Sequence, residues 1–489
     1  MLDFKNIEKY KENNRIEAKK ALGGLPESLW ETYSAFANTF GGIILLGVEE
    51  LPDKSFKTVN LPEPEGLIKK FWRIIKDKQK VSINILQDND VRIINVEENR
   101  IIAIEVPRAN RHDKPVYIDG NPFIGSYRRN GEGDYHCTEV EVHNMLRDRS
   151  DISQDLLVLE KMDLSVFHKK SIDIYRTRFE HLNPGNVWNS LSEEEFLQRI
   201  GAIGAGSTDK KLHPTIAGLL MFGYEQDIVK EFSNYFLEYR EKSTTQNTGK
   251  GSRVVSNSGD WSGNVFDFYF RIYSRIAKDI KAPSYDDKSV GRNEDTPVHI
   301  ALREALANAL IHANYYDSHG LIIEKKKESL VITNPGGLRI SIAEAANGGT
   351  SDPRNATLLK MFSLVGIGKQ EGRGIPGIHE VWKKQDWETP ILKEEFNPDR
   401  TILSLKLKKV SGRKSAINNE NMKSTLKVSE YEQKIIEYLT MNIVGKTSDF
   451  SELLNLKSSR TRNYLSKLVA EGIIVAEGNN RNRRYTLKS

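Results

Sequence analysis

The chain has 489 residues but a single cysteine, Cys137. One thiol excludes an internal disulfide framework and any zinc finger built on paired cysteines. Long apolar runs are also missing: the longest, such as Ile43–Gly47 and Ala217–Gly223, fall far short of the roughly 18 residues that a membrane helix needs. Met1–Arg15 is polar and charged, which is not the pattern of a secretory signal. We therefore expect a cytoplasmic protein without a membrane partner.

The sequence has 38% hydrophobic residues and 28% charged residues of both signs, which is typical of folded globular domains. Its length suggests about three or four domains. The net charge is +5, from 72 basic and 67 acidic residues. Val410–Ser489 alone has 14 basic and 8 acidic residues, a net of +6, so the remainder has a net of −1. This asymmetry favours, weakly, a nucleic-acid-binding C-terminal end.

An acidic pair with a nearby lysine lies close to the N-terminus, in the pattern Glu12-x4-Glu17-x-Lys19. If Arg15–Ala21 is a strand, Glu17 and Lys19 point to the same side, because side chains alternate along a strand. Two carboxylates and a lysine can hold a divalent metal and stabilise charge at a scissile phosphate. The same residues can also form an ordinary solvated, charged edge. The spacing alone leaves both interpretations open.

The surrounding residues contain a more specific pattern. Ser34–Val48 includes Ala-Asn-Thr-x-Gly-Gly feeding an apolar strand that ends in Gly-Val. Together with Glu12–Lys19 and Ser126–Asn130, this segment resembles the Schlafen AlbA-like domain. The resemblance implies an α+β domain that binds nucleic acid. Under it, Arg128 and Arg129 either contact phosphate or merely cover an edge strand.

Some Schlafen proteins are nucleases that cut tRNA and rRNA. The resemblance then implies an active site made of Glu12, Glu17 and a third acidic residue after the glycine-containing strand. Glu49, Glu50 and Asp53 all follow that strand, and we choose Glu50. Lys19 completes the predicted catalytic set, and the metal is Mg²⁺ or Mn²⁺.

A second constellation begins on a helix predicted over Val298–Asn314. Glu304 and Asn308 lie four residues apart, so they share one helix face. An amide oxygen can ligate Mg²⁺ on a nucleotide while the carboxylate positions a water molecule. The alternative is an ordinary amphipathic helix with its polar side chains outside.

Two glycine-rich segments follow. Asn334–Gly337, with the sequence Asn-Pro-Gly-Gly, comes after a strand predicted over Ser329–Thr333. Gly366–Gly377 leads into a helix predicted over Ile378–Lys384. Glycines let backbone N–H groups approach phosphates, and a helix N-terminus favours their negative charge. The order of helix, glycine turn and glycine loop is more specific than any one of the three.

That order resembles the GHKL ATPase fold of gyrase and histidine kinases, especially a divergent branch found behind AlbA-like domains. The resemblance implies an α/β sandwich that binds ATP and Mg²⁺, with Glu304 as base and Asn308 as metal ligand. Asn334 stands where the family usually has the aspartate that accepts the adenine amino group, so ATP binding is better supported than fast hydrolysis. The implied cofactor-binding residues are Asn308, Asn334, Gly336, Gly337, Gly372, Gly374 and Gly377.

The C-terminal segment has the pattern of a winged helix-turn-helix. Helices are predicted over Glu430–Leu439, Thr447–Leu454 and Ser458–Glu471, followed by a hairpin. The outward basic residues expected to contact duplex DNA are Arg460, Arg462 and Lys467 on the third helix and Arg481, Arg483 and Arg484 on the wing. A winged helix that contacts protein is the alternative.

We predict an α+β multidomain chain. It comprises an AlbA-like domain at 1–150, a connecting α+β region at 151–290, a GHKL-like domain at 291–409, a linker at 410–427 and a winged helix at 428–489. Three functional hypotheses follow: an ATP-responsive transcriptional regulator, a metal-dependent nuclease with a possible role in phage defence, and a nucleotide sensor acting through protein partners. A homo-oligomer would match a palindromic DNA site.

Overall fold

The structure is a computed structural model that describes residues 10–241, 252–277, 296–368, 374–396, 398–408, 444–470, 474–478 and 483–487, with several positions between 431 and 439. The predicted linker, Gly372 and Arg481 lie outside the described residues. Several α-helices and β-sheets are present, which confirms the mixed α+β class. Among the helices in these ranges, none is both long and apolar enough to cross a membrane.

The N-terminal domain is built around one mixed sheet. Its elements are β1 (Ile16–Lys19), α1 (Ser28–Asn38), β2 (Gly42–Leu46), β3 (Val48–Glu50), β4 (Phe56–Thr58), α2 (Pro64–Ile75), β5 (Val91–Val96), β6 (Asn99–Val106), α3 (Pro122–Gly125), β7 (Tyr127–Asn130), β8 (Gly133–His136) and α4 (Glu139–Arg149). Four strands form a sheet in the order β1-β2-β6-β5, with β1 parallel to β2. The β7–β8 hairpin packs beside α1.

Leu29, Tyr33, Phe36 and Phe40 recur at helical spacing in the sequence, which predicts an amphipathic helix. The first three lie on α1 and are completely buried. The helix ends at Asn38, so the prediction that Phe40 belongs to it was wrong. Gly41 has a φ of +74°, and a Cβ there would lie 2.7 Å from Val106 O. Only glycine fits this close turn into β2 without strain.

The middle of the chain contains the largest sheet. Its elements are α5 (Lys169–Leu182), α6 (Glu193–Ile200), β9 (Ile203–Ala205), β10 (Leu212–Pro214), α7 (Ile216–Phe222), α8 (Glu225–Glu231), β11 (Leu237–Glu241), β12 (Ser252–Val255), α9 (Val265–Ala277), α10 (Pro297–His312), β13 (Leu321–Lys326), β14 (Ser329–Pro335), α11 (Ile342–Asn347), α12 (Ala356–Leu364), α13 (Gly374–Lys384), β15 (Ile391–Glu395) and β16 (Arg400–Lys406). Six of the strands form a sheet in the order β12-β11-β13-β14-β16-β15.

This sheet crosses the domain boundary predicted between 290 and 291. β11 and β12 precede that boundary, and β11 pairs in parallel with β13 beyond it. One continuous apolar core contains residues from both sides, from Val166 to Leu405. The boundary therefore does not separate two cores, and the two segments fold as one unit.

The C-terminal module consists of β17 (Val444–Lys446), α14 (Thr447–Leu454), α15 (Ser458–Ala470), β18 (Ile474–Glu477) and β19 (Arg484–Leu487). Its sheet has the order β17-β19-β18. Phe450, Leu465, Leu468 and Tyr485 are buried in its core, together with Ile435. The apolar spacing predicts Tyr464, Leu465, Leu468 and Val469 as the inward positions of α15, and the first three are buried.

Candidate functional site

Glu17 and Lys19 lie side by side on β1. Lys19 Nζ is 2.9 Å from Glu17 Oε1 and also donates to Ser28 Oγ at 3.1 Å. Both side chains are about nine-tenths buried. The strand that places them on one side is present, and the pair is enclosed by the protein rather than solvated.

Glu12 joins this pair from the preceding turn. Its Oε1 accepts a hydrogen bond from the Ala18 N–H at 3.0 Å. Burial raises the pKa of Glu12, and the negative charges of Glu17 and Glu50 raise it further, against the lowering effect of the Ala18 hydrogen bond. The structure therefore brings Glu12, Glu17 and Glu50 into one electrostatic cluster, which we call the acidic cluster.

The other two acidic candidates have partners elsewhere. Glu49 pairs with Lys20 at 2.9 Å, and Asp53 accepts from the Ser55 N–H at 3.0 Å. Glu50 pairs with Lys54 through Oε2 at 3.4 Å, but its Oε1 is buried and accepts no hydrogen bond, and its charge acts on Glu12. These contacts favour Glu50 as the third acidic residue of the cluster.

Arg128 and Arg129, for which phosphate contact and covering of an edge strand were both open, are engaged inside the protein. Arg129 is 3% exposed, with Nη2 2.7 Å from Glu17 Oε2 and Nη1 2.9 Å from Asp134 Oδ1. Arg128 is 9% exposed and donates from Nη2 to Asp399 Oδ2 at 2.9 Å. Neither guanidinium presents a free phosphate-binding surface, because each already neutralises a buried carboxylate.

Arg129 also makes the acidic cluster less suited to binding a metal ion. Glu17 is bracketed by Arg129 and Lys19, so its charge is already balanced. Within the described ranges, no three carboxylate, histidine or cysteine side chains stand close enough together to hold a metal ion. Binding a divalent cation here would require at least one of these ion pairs to open.

Glu304 and Asn308 share one face of α10 and are hydrogen-bonded to each other. Burial raises the pKa of Glu304, and the Asn308 hydrogen bond only partly offsets that rise. A Cβ at Gly374 would lie 2.9 Å from Asn308 Nδ2 and 3.7 Å from Glu304 Oε1. Glycine therefore lets the first turn of α13 approach both polar side chains closely. That helix begins at Gly374, four residues before the predicted start, with Pro376 in its first turn, where proline is tolerated.

Asn334 lies near the end of β14, where it is 6% exposed. Its Oδ1 is buried and accepts no hydrogen bond. The end of this strand is joined to the end of α10, because the Asn314 N–H donates to Pro335 O at 3.0 Å. A buried acceptor without a donor is rare in native proteins and fits a ligand N–H such as the amino group of adenine. Glu304, Asn308 and Gly374, which lie together, suit the Mg²⁺ and phosphates of ATP, and Asn334 suits its adenine.

Helix α15 of the C-terminal module presents Arg460 and Arg462 to solvent. Lys467 is also exposed, with Nζ 2.7 Å from Glu432 Oε1. On the hairpin, Arg483 is exposed, but Arg484 is only 8% exposed. The guanidinium of Arg484 is therefore not presented to solvent, and its contact with DNA remains a prediction.

Residues 12–138 match the protein family described as "Schlafen, AlbA_2". Residues 321–403 match the family described as "Putative ATP-dependent DNA helicase recG C-terminal". Residues 143–238 match a domain of unknown function, DUF8451. After these matches, we refer to the N-terminal domain, up to the end of α4, as the AlbA_2 domain and to the unit built on the six-stranded sheet as the recG-type unit. The AlbA_2 match and the recG C-terminal match support a nucleic-acid-related, ATP-binding protein.

No curated protein matches the chain. A crystal structure of a Corynebacterium diphtheriae protein is similar at 16% identity, covering 97% of this chain and 95% of that one, with a TM-score of 0.41. A solution structure of the N-terminal domain of a RecG-related protein from Nitrosomonas europaea is 28% identical over 28% of this chain and 90% of that one, with a TM-score of 0.22.

The AlbA_2 domain and the recG-type unit are joined by arginine–carboxylate pairs that the sequence did not indicate. Arg108 of the AlbA_2 domain donates from Nη2 to Glu394 Oε1 at 3.1 Å and to Leu338 O at 3.0 Å. Glu394 Oε1 also accepts from the Leu338 N–H at 2.7 Å. Leu338, which follows the Asn-Pro-Gly-Gly turn, is therefore hydrogen-bonded to Arg108 of the AlbA_2 domain.

A reciprocal pair crosses the same interface. Asp148, at the end of α4, accepts from Arg354 Nε at 2.9 Å and from Arg354 Nη2 at 2.8 Å. Arg354 Nη2 also donates to Gly337 O at 2.9 Å. These contacts assign Arg354 to the interface. No local motif predicts them, because the partners are about 200 residues apart in sequence.

Proposed function

We propose that this protein is an ATP-binding regulator that acts on nucleic acid, in which a GHKL-type nucleotide domain controls an AlbA_2 domain and a DNA-binding winged helix. The observation that carries the nucleotide part is the unpartnered, buried Asn334 Oδ1 together with the close approach of Gly374 to Glu304 and Asn308. In the proposed complex, Mg²⁺ and the phosphates of ATP lie next to Gly374, Glu304 and Asn308. Glu304 is the candidate base that positions water.

Control of the AlbA_2 domain by nucleotide is supported by the contacts of the glycine turn. The turn that follows Asn334 touches Arg354 through Gly337 O, and the next residue is bonded to Arg108 and Glu394. Any movement of this turn on nucleotide binding therefore acts directly on the interface. Coupling of this kind is reciprocal, so nucleic-acid binding at the AlbA_2 domain also changes ATP affinity.

Asn308→Ala tests the nucleotide site. We expect the dissociation constant for Mg-ATP to rise about tenfold, because a metal-ligating oxygen is lost. ATP measured in excess chelator is expected to bind the variant and the wild type equally. Isothermal titration calorimetry measures both constants. The matched control is Asn347→Ala, an exposed asparagine at the end of α11. An equal loss with and without magnesium would contradict the proposed role.

A single assay tests the nucleic-acid part. Labelled tRNA, single-stranded DNA and duplex DNA are incubated with the full chain and Mg²⁺ or Mn²⁺, with and without ATP. We expect duplex retention that falls steeply with salt. Arg460→Ala/Arg462→Ala is expected to reduce the slope of log affinity against log salt by up to about two, one for each lost phosphate contact. The control Lys383→Ala/Lys384→Ala removes two exposed charges from α13 and leaves retention unchanged.

The convergence of Glu12, Glu17 and Glu50 favours a second candidate, a metal-dependent nuclease of tRNA, other RNA or DNA that serves in phage defence. For this activity, at least one of the ion pairs of Glu17 with Lys19 and Arg129 opens when metal or substrate binds. The same assay decides between the candidates through Glu12→Ala/Glu17→Ala. Cleavage by the wild type but not by this double variant establishes the nuclease. Intact substrates in every condition, with duplex retention lost in Arg460→Ala/Arg462→Ala, leave the regulator.

A further inference from the structure

A cavity of about 60 Å³ lies between the AlbA_2 domain and the recG-type unit. Its walls include the glycine turn at Gly336 and Gly337 from one side and Arg108 and Lys114 from the other. A buried water needs roughly 10–15 Å³ of such volume, so the cavity has room for several waters or one tetrahedral oxyanion. The acidic cluster does not use this cavity, and the predicted nucleotide-binding residues that line it are Gly336 and Gly337.

The cavity is strongly basic. Six cationic side chains line it: Arg108, Arg111, Lys114, Arg128, Arg339 and Arg354. Two carboxylates, Asp148 and Asp399, lie on the same wall. Three more carboxylates, Glu394, Asp352 and Glu141, pair with these arginines from outside the lining. Asp151 is 3.9 Å from Arg111 but 86% exposed, so water screens it. One positive charge is left without a buried counter-charge.

That charge belongs to Lys114. Its Nζ donates to a backbone carbonyl, Asn38 O, at 2.9 Å, whereas the five arginines each have a carboxylate partner. In the described part of the chain, this ammonium group contacts the Asn38 carbonyl, and Glu394 and Asp399 act on it from beyond ion-pair distance. Burial lowers the pKa of Lys114 well below its usual value, and the charges of Arg108 and Arg128 lower it further, against the raising effect of Glu394 and Asp399. An anion bound in the cavity favours the charged form of this lysine. A largely buried ammonium group in a basic cavity is stabilised by an anion that accepts its remaining two N–H bonds.

We propose that this interdomain cavity binds a phosphate-sized oxyanion, with Lys114 Nζ as its principal ligand. The anion balances the residual charge, and it bridges the AlbA_2 domain to the glycine turn of the recG-type unit. Its phosphate comes either from solution or from a nucleotide, and the chemistry of recognition is the same for both. Glu304 and Asn308 do not line the cavity, whereas Gly336 and Gly337 belong to both the cavity and the predicted nucleotide site. The anion site is argued from Lys114 and the basic lining, and it does not depend on the function proposed above.

The test titrates inorganic phosphate into the full chain at constant ionic strength, with chloride replaced stepwise. Thermal unfolding and ³¹P NMR linewidths report binding. We expect saturable binding to the wild type and an apparent dissociation constant at least tenfold higher for Lys114→Met, which keeps the aliphatic stem but loses the charge. Lys230→Met, at an exposed lysine paired with Asp227, is the matched control and retains wild-type affinity.

Absence of saturable phosphate binding to the wild type would overturn the proposal, and so would an unchanged constant in Lys114→Met. If that variant does not fold, Lys114→Gln replaces it with the same expectation. Competition between ATP and phosphate identifies a nucleotide as the source, and simultaneous binding identifies free phosphate; both support the site. Asn308→Ala separates the two proposals, because it weakens Mg-ATP binding but leaves phosphate binding intact.

Discussion

Replacing Arg354 with methionine is expected to lower the free energy of unfolding by about 3–5 kcal/mol, the range found when one partner of a buried ion pair is removed. Arg354 neutralises Asp148 through two hydrogen bonds of 2.9 and 2.8 Å. Burial on its own raises the pKa of Asp148, but the charges of Arg354, Arg339 and Arg111 outweigh burial and hold that pKa below its usual value. Without Arg354, the carboxylate is left buried with weaker partners.

Equilibrium urea unfolding followed by circular dichroism measures this loss. The control Lys384→Met breaks an exposed pair with Glu380 on α13 and is expected to cost less than about 1 kcal/mol. The double variant Asp148→Asn/Arg354→Met is expected to lose less stability than the sum of the two single variants, because it leaves no uncompensated charge. A cost below 1 kcal/mol for Arg354→Met would show that the interface does not depend on this pair.

The second large expected effect is that the folded state loses stability as the pH falls, because His312 takes up a proton more readily in the unfolded chain. Burial, and after it the charges of Arg354 and Arg339, lower the pKa of His312 from 6.5 to about 4, against a smaller raising effect of Asp352. The folded state therefore resists protonation while the unfolded chain accepts a proton near pH 6.5. Stability from this group is complete above pH 6.5 and is lost as the pH falls towards 4. The total is up to about 3 kcal/mol, at 1.36 kcal/mol for each pKa unit.

The measurement is the free energy of unfolding at pH 7 and at pH 4.5 for the wild type and for His312→Asn. Because carboxylates also titrate in this range, the difference between the two proteins isolates the histidine. We expect the wild type to lose about 2–3 kcal/mol more than His312→Asn on acidification. His143→Asn, at an exposed histidine of α4, is the control and is expected to follow the wild type. Parallel losses in the wild type and His312→Asn would contradict a buried neutral imidazole.

The sequence was informative wherever an interaction is local. Glu17 and Lys19 share one side of a strand, and Glu304 and Asn308 share one face of a helix, because fixed backbone periodicities set those relations. Helix α1 and the inward residues of α15 followed from apolar spacing for the same reason. Helix ends were predicted less accurately, because the position of a terminal turn depends on how the neighbouring segment packs. The helix that was expected to include Phe40 ends at Asn38, and α13 begins at Gly374 rather than at Ile378.

The local sequence does not determine which residue a charged side chain on an edge strand will pair with. Arg128 and Arg129 had two open interpretations, and the structure places both inside ion pairs with Asp399 and Glu17. The two residues are adjacent on β7, yet successive strand side chains point to opposite faces. One therefore enters the domain interface and the other the acidic cluster.

The sequence by itself determined the order of the motifs, the mixed α+β class and the residue types available for nucleotide and nucleic acid chemistry. Tertiary structure alone decided that β11 and β12 complete the sheet of the recG-type unit and that Asn334 Oδ1 is buried without a donor. It also decided that Lys114 donates to a backbone carbonyl and not to a carboxylate. Those outcomes depend on contacts between distant parts of the chain. Arg108 and Glu394, for example, are 286 residues apart. A side chain's burial and net electrostatic surroundings are sums over such contacts, which sequence spacing does not specify.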